Sequence, residues 1–299
     1  MMSWKLGLAA ATFSLVTVPA LAGSAMFDQD FGTAIHPAFA AHVELGAGPE
    51  NFDQPLSFTA PSSVHALLEG AGRVNVPLGG MWNLETEATA RSSWNSDVSS
   101  SAVGAYAHLW SMFPSAAFGL FGGGSSGDLS WPFIFGGGSI GPMLSGDTYT
   151  AGIEGEAYLN RVTLGGQASI TTAQFDNFFP NDHGWQARGY AAYYFDPETK
   201  IVGDVKYTDF SAVRFMPAQN RWDVTGLLEH CFAGTSWSMW ASGSYSTFSA
   251  SDDSNAEQWS ALVGFRLFLD SPGTSLHRHD REVPFKYDNQ IRLLNRPVA

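Results

Sequence analysis

The chain has 299 residues, of which 44% are hydrophobic, and it carries 15 basic residues against 28 acidic residues. This excess of negative charge argues against nucleic acid as a partner, because phosphate binding needs clusters of Lys and Arg. Cys231 is the one cysteine of the sequence, which excludes a disulfide framework and a thiolate metal cluster. We expect its thiol to be a packed small side chain.

The first 22 residues have the pattern of a secretory signal peptide. Lys5 supplies a positive start, an apolar run covers Leu6 to Val18, and Ala20-Leu21-Ala22 has the small residues of a cleavage site. The sequence therefore predicts a signal peptide over 1–22 and an exported protein, with an N-terminal periplasmic segment over 23–37.

From residue 38 to residue 269 the dominant pattern is alternation of apolar and polar residues, the period of a β-strand with unlike faces. Between Trp259 and Leu269, for example, every second residue is apolar. We predict twelve strands, with ten as the alternative, near residues 38–48, 63–76, 81–93, 101–110, 115–123, 148–159, 162–175, 184–195, 200–210, 221–232, 237–248 and 258–269.

The predicted connections alternate between short turns and longer loops. Asn160-Arg161 and Asp196 to Thr199 are short and contain turn-forming residues, whereas residues 124–147 form the longest predicted loop. An even number of antiparallel strands with this alternation is typical of a transmembrane β-barrel with short periplasmic turns and longer extracellular loops. The sequence thus predicts an all-β, antiparallel barrel over 38–269.

The polar face of the predicted strands carries dense charge of both signs. A soluble barrel or sandwich also alternates, but six of the nine basic residues between 23 and 269 lie on this one face, as expected if the opposite face meets lipid. The predicted lumen-lining residues are Glu69, Arg73, Glu85, Glu87, Arg91, His108, Glu154, Glu156, Arg188, Asp204, Lys206, Arg221, Asp223, Glu229 and Arg266.

In this architecture the chain resembles the porin-like β-barrel proteins of the bacterial outer membrane. The most specific local feature is Gly264-Phe265-Arg266-Leu267-Phe268-Leu269, which is similar to the last-strand signal that barrel-assembly machinery reads. The resemblance implies outer-membrane localisation, contact with outer-membrane lipids and lipopolysaccharide, and binding of the assembly machinery through Gly264, Leu267 and Leu269.

Two glycine-rich repeats, Phe121 to Gly127 and Phe135 to Gly141, match both a dinucleotide-binding fingerprint and a nucleophile-elbow pattern. Neither repeat opens a helix, since Pro132 and Pro142 follow closely, so we interpret both matches as composition. The apolar segment between the repeats predicts a loop gate at the barrel mouth formed by Trp131, Phe133 and Phe135. The alternative is that residues 129–135 extend the two flanking strands.

Three functions are compatible with the sequence. The first is a narrow, somewhat cation-preferring diffusion channel for ions or small solutes, and the second is a non-conducting structural or surface-interaction barrel. The third is a barrel hydrolase, for which His42, His65 and His108 on the polar face would be candidates, but no local motif selects a catalytic set. We expect no enzyme activity, no cofactor and no metal site.

The last segment, residues 270–299, lacks both periodicities and contains His277-Arg278-His279-Asp280. We expect a disordered periplasmic tail, with a plug or a contact to a periplasmic partner or the cell wall as the alternatives.

Overall fold

The computed structural model describes residues 39–53, 63–95, 99–130, 133–135, 138–140, 143–175, 182–211, 218–250, 255–269, 276 and 279–280. The predicted signal peptide and N-terminal segment lie outside the described residues, as does most of the predicted tail.

Fourteen β-strands are described. They are β1 (Ala40–Asp53), β2 (Ser63–Gly79), β3 (Trp82–Trp94), β4 (Ser99–Phe113), β5 (Ala116–Ser130), β6 (Phe133–Phe135), β7 (Gly138–Ile140), β8 (Met143–Leu159), β9 (Val162–Phe175), β10 (Asp182–Asp196), β11 (Thr199–Phe210), β12 (Gln219–Cys231), β13 (Trp237–Ala250) and β14 (Asn255–Phe268).

Twelve of these strands form one closed antiparallel barrel, in which each strand pairs with its neighbours along the chain and β5 pairs directly with β8. The barrel closes between β1 and β14, where Leu45 lies opposite Phe265. Closure leaves no unpaired sheet edge, so the backbone hydrogen bonds are satisfied within the wall. The predicted twelve-stranded, all-β barrel is confirmed. In the part of the chain that is described, no helix has the length and apolarity to cross a membrane.

Short turns join the strands at one end of the barrel, which we call the short-turn end. The turn between β8 and β9 places Asn160 at a φ of 41°, and the turn after β2 places Gly79 and Gly80 at 109° and 60°. These are left-handed conformations that Gly and Asn adopt at little cost. The longer connections all lie at the opposite end, which we call the long-loop end.

The two faces of the wall differ as the alternation predicts. Outward side chains are apolar and exposed: Leu120 is 60% exposed, Ile153 61% and Ile170 71%. Most inward side chains are polar, charged or aromatic, and most are buried. A closed barrel with an apolar outside and a polar inside is the inverse of a soluble barrel and is suited to lipid.

The strands beside the longest predicted loop extend further than the sequence indicated. Residues 124–130 belong to β5 and residues 143–147 to β8, where they pair through positions such as Asp128 and Ser145. The prediction of a loop over these residues was wrong. Gly- and Ser-rich stretches show no alternation of apolar and polar side chains, but backbone hydrogen bonds between strands form without such alternation. Beyond them, β6 and β7 form a separate two-stranded sheet.

The aromatic residues at the short-turn end divide between the two faces. Phe113, Phe195, Phe232 and Trp237 are outward and between 38% and 48% exposed, as expected for an interfacial girdle. Trp110, Tyr158, Tyr194 and Phe268 instead lie inward and are at most 6% exposed. Their strand parity places them in the lumen and not in the interfacial girdle.

Candidate functional site

The inner wall of the barrel is the candidate functional site. All fifteen predicted lumen residues lie on it, because β-strand parity places each of them on the inward face. Thirteen are buried, while Glu69 and Asp204 are half-buried. Most of the ion pairs described below lie between these residues, and the pairs form clusters along the wall.

The Arg266 cluster lies near the short-turn end and consists of Glu44, Lys200, Glu229, Arg266 and Asp280. Arg266 donates from Nη1 to both oxygens of Glu229, at 2.6 and 2.8 Å, and from Nη2 to Glu44 Oε2 at 2.6 Å. Lys200 Nζ lies 3.1 Å from Glu229 Oε2. Arg266 and Glu229 are both 0% exposed, so their charges are compensated by each other rather than by bulk water.

Three residues of the C-terminal segment lie against this cluster. Asp280 Oδ2 accepts hydrogen bonds from Lys200 Nζ at 2.5 Å and from Tyr194 Oη at 2.8 Å. The ring of His279 lies 4.4 Å from that of Phe268, measured between centroids. The disordered tail and the plug both stay predictions, because most of residues 270–299 lie outside the described residues.

The apolar side of the same contact is formed by Leu276, which is 0% exposed and packs with Cys231 and Phe268. Cys231 is thereby buried as a small core side chain, as its lone occurrence indicated. The C-terminal segment therefore joins the barrel through both a charged contact and an apolar contact.

The His108 cluster begins on β2, the strand next to β1, and consists of Arg73, Glu85, Glu87, His108 and Glu154. Arg73 lies 3.3 Å from Glu85 and 2.8 Å from Glu87, and His108 Nδ1 lies 2.9 Å from Glu154 Oε1. One ligand atom each of Glu85, Glu87 and His108 lies within 4.8 Å of the other two. Carboxylate and imidazole groups at this spacing could hold a metal ion.

Hydrogen bonds extend the His108 cluster around the wall. Glu154 accepts from Gln167 Nε2 at 2.9 Å, Gln167 accepts from Arg188 Nη1 at 3.4 Å, and Arg188 Nε donates to Asp204 at 2.5 Å. The resulting belt runs from β2 to β11 through neighbouring or next-neighbouring strands.

Further pairs lie towards the long-loop end. Arg91 donates to both Glu50 and Glu69, and Gln258 also donates to Glu50. Arg221 Nη2 lies 2.6 Å from Asp223 Oδ1. As in the belt, the partners lie on the same strand or on strands close together in the wall, so these contacts follow the wall rather than cross the barrel.

The structure adds lumen residues that the sequence reasoning missed. Glu44, Glu50 and Lys200 share the parity of neighbouring polar positions, so alternation alone could have found them. Asp280 and His279 had no such signal, because nothing in an aperiodic segment indicates that it returns to the barrel.

The histidines proposed for a hydrolase lie in separate surroundings. His42 is 1% exposed and lies 5.6 Å from His279 between ring centroids, whereas His108 is 0% exposed and bound to Glu154. His65 lies near the long-loop end, 3.2 Å from Asn95. These three residues do not converge on one site.

Only part of the predicted loop gate lies in the described residues. Trp131 lies outside the described residues, and for Phe133 and Phe135 the structure describes the backbone, which pairs with Ile140 and Gly138. The loop gate stays a prediction.

No family model and no curated protein matches the chain. Solved structures do. The translocator domain of autotransporter NalP from Neisseria meningitidis has a TM-score of 0.52 at 10% identity, covering 76% of this chain and 88% of that one. An outer membrane channel from Pseudomonas putida F1 has a TM-score of 0.53 at 10% identity, covering 79% of this chain and 97% of that one.

The fold is that of the bacterial outer-membrane β-barrels. Together with the apolar outer face, this fold assigns the protein to the bacterial outer membrane. One neighbour is a translocator domain and the other is a channel, so the likeness carries the architecture and not a transport function.

Proposed function

We propose that the protein is a narrow outer-membrane diffusion channel for ions or small solutes, in which Leu276, His279 and Asp280 pack against the inner wall at the short-turn end. The observation that carries the proposal is the polar belt on the inner wall, in which ion pairs follow the wall instead of bridging the barrel. In barrels of this kind the short turns face the periplasm, so this contact lies at the periplasmic end.

The number of strands supports a narrow passage. A barrel of about eight strands is filled by its own side chains, whereas about 16 to 18 strands leave an aqueous channel. Twelve strands lie between these cases. An outer-membrane channel is also among the structures of similar fold.

The charges on the wall favour cations. Ten acidic side chains lie on the inward face of the described strands between Glu44 and Arg266, against seven basic ones. The acidic residues are Glu44, Glu50, Glu69, Glu85, Glu87, Glu154, Glu156, Asp204, Asp223 and Glu229, and the basic ones are Arg73, Arg91, Arg188, Lys200, Lys206, Arg221 and Arg266. A lining with net negative charge selects cations over anions.

Planar-bilayer recording of the purified full-length chain and of Asp280→Asn tests the channel. The substitution removes the negative charge of Asp280 that pairs with Lys200. We therefore expect the open probability or the conductance to rise above that of the wild type. We also expect the channel to prefer K⁺ over Cl⁻. The control is Asp209→Asn, at the long-loop end of β11 and away from the segment. Absence of current from both the wild type and Asp280→Asn would contradict the proposal.

The second candidate is a non-conducting structural or surface-interaction barrel. It is favoured by the burial of the lumen charges, since Glu85, His108, Glu229 and Arg266 are all 0% exposed. A sealed lumen would give no current at any voltage, and the recording described above separates the two candidates.

A role as a lipid hydrolase is not proposed, because His42 and His108 are at most 1% exposed and a catalytic base must reach its substrate. We expect no release of fatty acid from phospholipid vesicles by the purified barrel. Hydrolysis that is lost in His42→Ala or His108→Ala would overturn this expectation.

The partners that we propose are outer-membrane lipids and lipopolysaccharide, together with the assembly machinery. Leu269 is 56% exposed just after the last strand, and Leu267 shares its outward parity, which supports contact of these two side chains with a membrane partner. Gly264 lies on the inward face instead, where it packs against the Trp240 ring. We therefore explain this glycine by packing within the barrel.

The loop gate is tested separately. Deleting residues 129–135 removes the apolar segment at the long-loop end, and we expect the single-channel current of Asp280→Asn to rise further if this segment narrows the mouth. An unchanged current would remove the gate from the proposal.

A further inference from the structure

The His108 cluster contains a ring nitrogen whose surroundings require a positive charge. His108 lies on β4, directly opposite Glu85 of β3 in the strand register. Both residues are 0% exposed, and Glu87, two residues further along β3, is 4% exposed. One ligand atom of each lies within 4.8 Å of the other two.

The orientation of the His108 ring is set by two aromatic neighbours and by a hydrogen bond at one ring nitrogen. The ring lies nearly parallel to those of Phe121 and Trp110, at interplanar angles of 16° and centroid distances of 5.6 and 6.1 Å. Its Nδ1 lies 2.9 Å from Glu154 of β8. Glu154 can approach because β5 has a glycine between them: a Cβ on Gly119 would lie 3.1 Å from Glu154 Oε1.

Nε2 is the ring nitrogen of His108 that is left to bind a ligand, because Nδ1 is bound to Glu154. Nε2 is buried and has no hydrogen-bond partner in the described residues. A buried ring nitrogen close to carboxylates is unfavourable as a bare lone pair and is stabilised by a positive charge, which is either a proton or a metal ion.

Arg73 binds one oxygen of each carboxylate that lies close to His108. Its Nη1 lies 3.3 Å from Oε1 of Glu85 and its Nη2 lies 2.8 Å from Oε2 of Glu87. A carboxylate has two oxygens, so it can bind a guanidinium through one and coordinate an ion through the other.

We propose that His108, Glu85 and Glu87 bind a divalent transition-metal ion of the Zn²⁺ or Mn²⁺ type in the lumen. Nε2 of His108 and one oxygen from each carboxylate are the three protein ligands, a set that suits such ions. Glu154 is a positioning residue. It accepts a hydrogen bond from the Nδ1–H group of His108 and thereby holds the tautomer in which Nε2 can coordinate the ion. Three protein ligands leave a coordination position for water or an anionic solute. The site does not depend on whether the barrel conducts.

Isothermal titration of the chelator-treated, detergent-solubilised barrel with Zn²⁺ tests the site. We expect one Zn²⁺ per barrel, loss of that binding in His108→Ala, and an affinity about 10- to 100-fold lower in Glu154→Gln, the usual effect of removing such an outer partner. The matched control is His230→Ala, a histidine on the outer face near a turn, which should bind as the wild type does.

X-ray absorption at the zinc edge gives a second readout. One imidazole nitrogen and carboxylate oxygens around the ion are expected in the wild type, and the outer-shell scattering of the imidazole should be lost in His108→Gln. Heat-modifiable migration in gels verifies that each variant forms a barrel. If His108→Ala does not fold, the titration of Glu87→Gln and Glu154→Gln decides in its place.

Absence of stoichiometric Zn²⁺ binding overturns the proposal, and so does binding that is unchanged in the site variants. The positive charge between Nε2 and the carboxylates would then be a proton, and the cluster would be a purely structural ion network.

Discussion

The inner and outer faces of the wall use the same alternating strands but depend on different properties of a side chain. Along β8, Ile153 faces outward and is 61% exposed, whereas its neighbour Glu154 faces inward and is 5% exposed. On the outer face, what matters is the depth of a residue in the lipid. On the inner face, what matters is its partner, as the Arg266 and His108 clusters show.

This difference has a consequence for charge. A charge on the outer face has only lipid beside it, so its cost depends on its height along the strand. A charge on the inner face is stable where the register supplies an opposite charge, and removing one member leaves the other buried without compensation. The same substitution should therefore have different effects on the two faces.

The largest effect is expected at the centre of the Arg266 cluster. Arg266→Met leaves Glu229 and Glu44 without the guanidinium that binds both, so we expect a loss of about 3–5 kcal/mol in the free energy of unfolding. Urea unfolding in lipid vesicles measures it. The control, Arg161→Met in a short turn, should change it by less than about 1 kcal/mol. Equal losses in the two variants would contradict the importance of the inner pair.

On the outer face, Ile153→Arg should cost about 2–4 kcal/mol, because a charge is placed near the middle of the apolar band. Leu159→Arg is the matched control, since Leu159 is also outward and 55% exposed but lies at the last position of β8. Near the interface the cost falls to about 0–1 kcal/mol. A similar cost at both positions would mean that depth does not govern the outer face.

A smaller effect is expected where inner packing depends on a glycine. A Cβ on Gly264 would lie 2.3 Å from the Trp240 ring, whereas at Gly243 it would meet nothing within 4 Å. We expect Gly264→Ala to destabilise the barrel by about 1–3 kcal/mol through overpacking. Gly243→Ala should leave the unfolding midpoint close to that of the wild type, and the same urea titration compares the two.

The smallest effect is expected at an aromatic cluster on the outer face. Tyr207 lies 5.2 Å from Trp185 and 4.7 Å from Trp222 between ring centroids. Tyr207→Ala removes both ring contacts, which are worth about 0.5–1.5 kcal/mol beyond the buried area. Tyr207→Phe keeps the rings and loses only the hydroxyl that donates to Asp209, so its free energy of unfolding should lie closer to the wild type. Equal losses would assign the effect to the hydroxyl.

The sequence predicted correctly which face of a strand a residue lies on. Residues as far apart as Glu69 and Arg266 were placed in one lumen because parity is carried by each strand independently. Parity also places Trp110 and Tyr194 on the inward face, where they are buried, although their aromatic character alone would suggest an interfacial position.

Which inward residues meet is a property of the register and the barrel closure. His108 and Glu154 are separated by 46 residues and meet across β5, where Gly119 leaves space. Asp280 reaches Lys200 over 80 residues, in a segment with no periodicity. Neither contact has a local signal, because both depend on neighbours brought together by folding.

By itself, the sequence determined the number of strands, their two faces and the concentration of charge on one of them, because side-chain alternation is a local property of extended backbone. Only the tertiary structure decided how those charges pair, since pairing depends on strand register and on where glycines allow side chains to cross. The association of the C-terminal segment with the short-turn end was also decided by the tertiary structure, because its charge complements a site that exists only in the closed barrel.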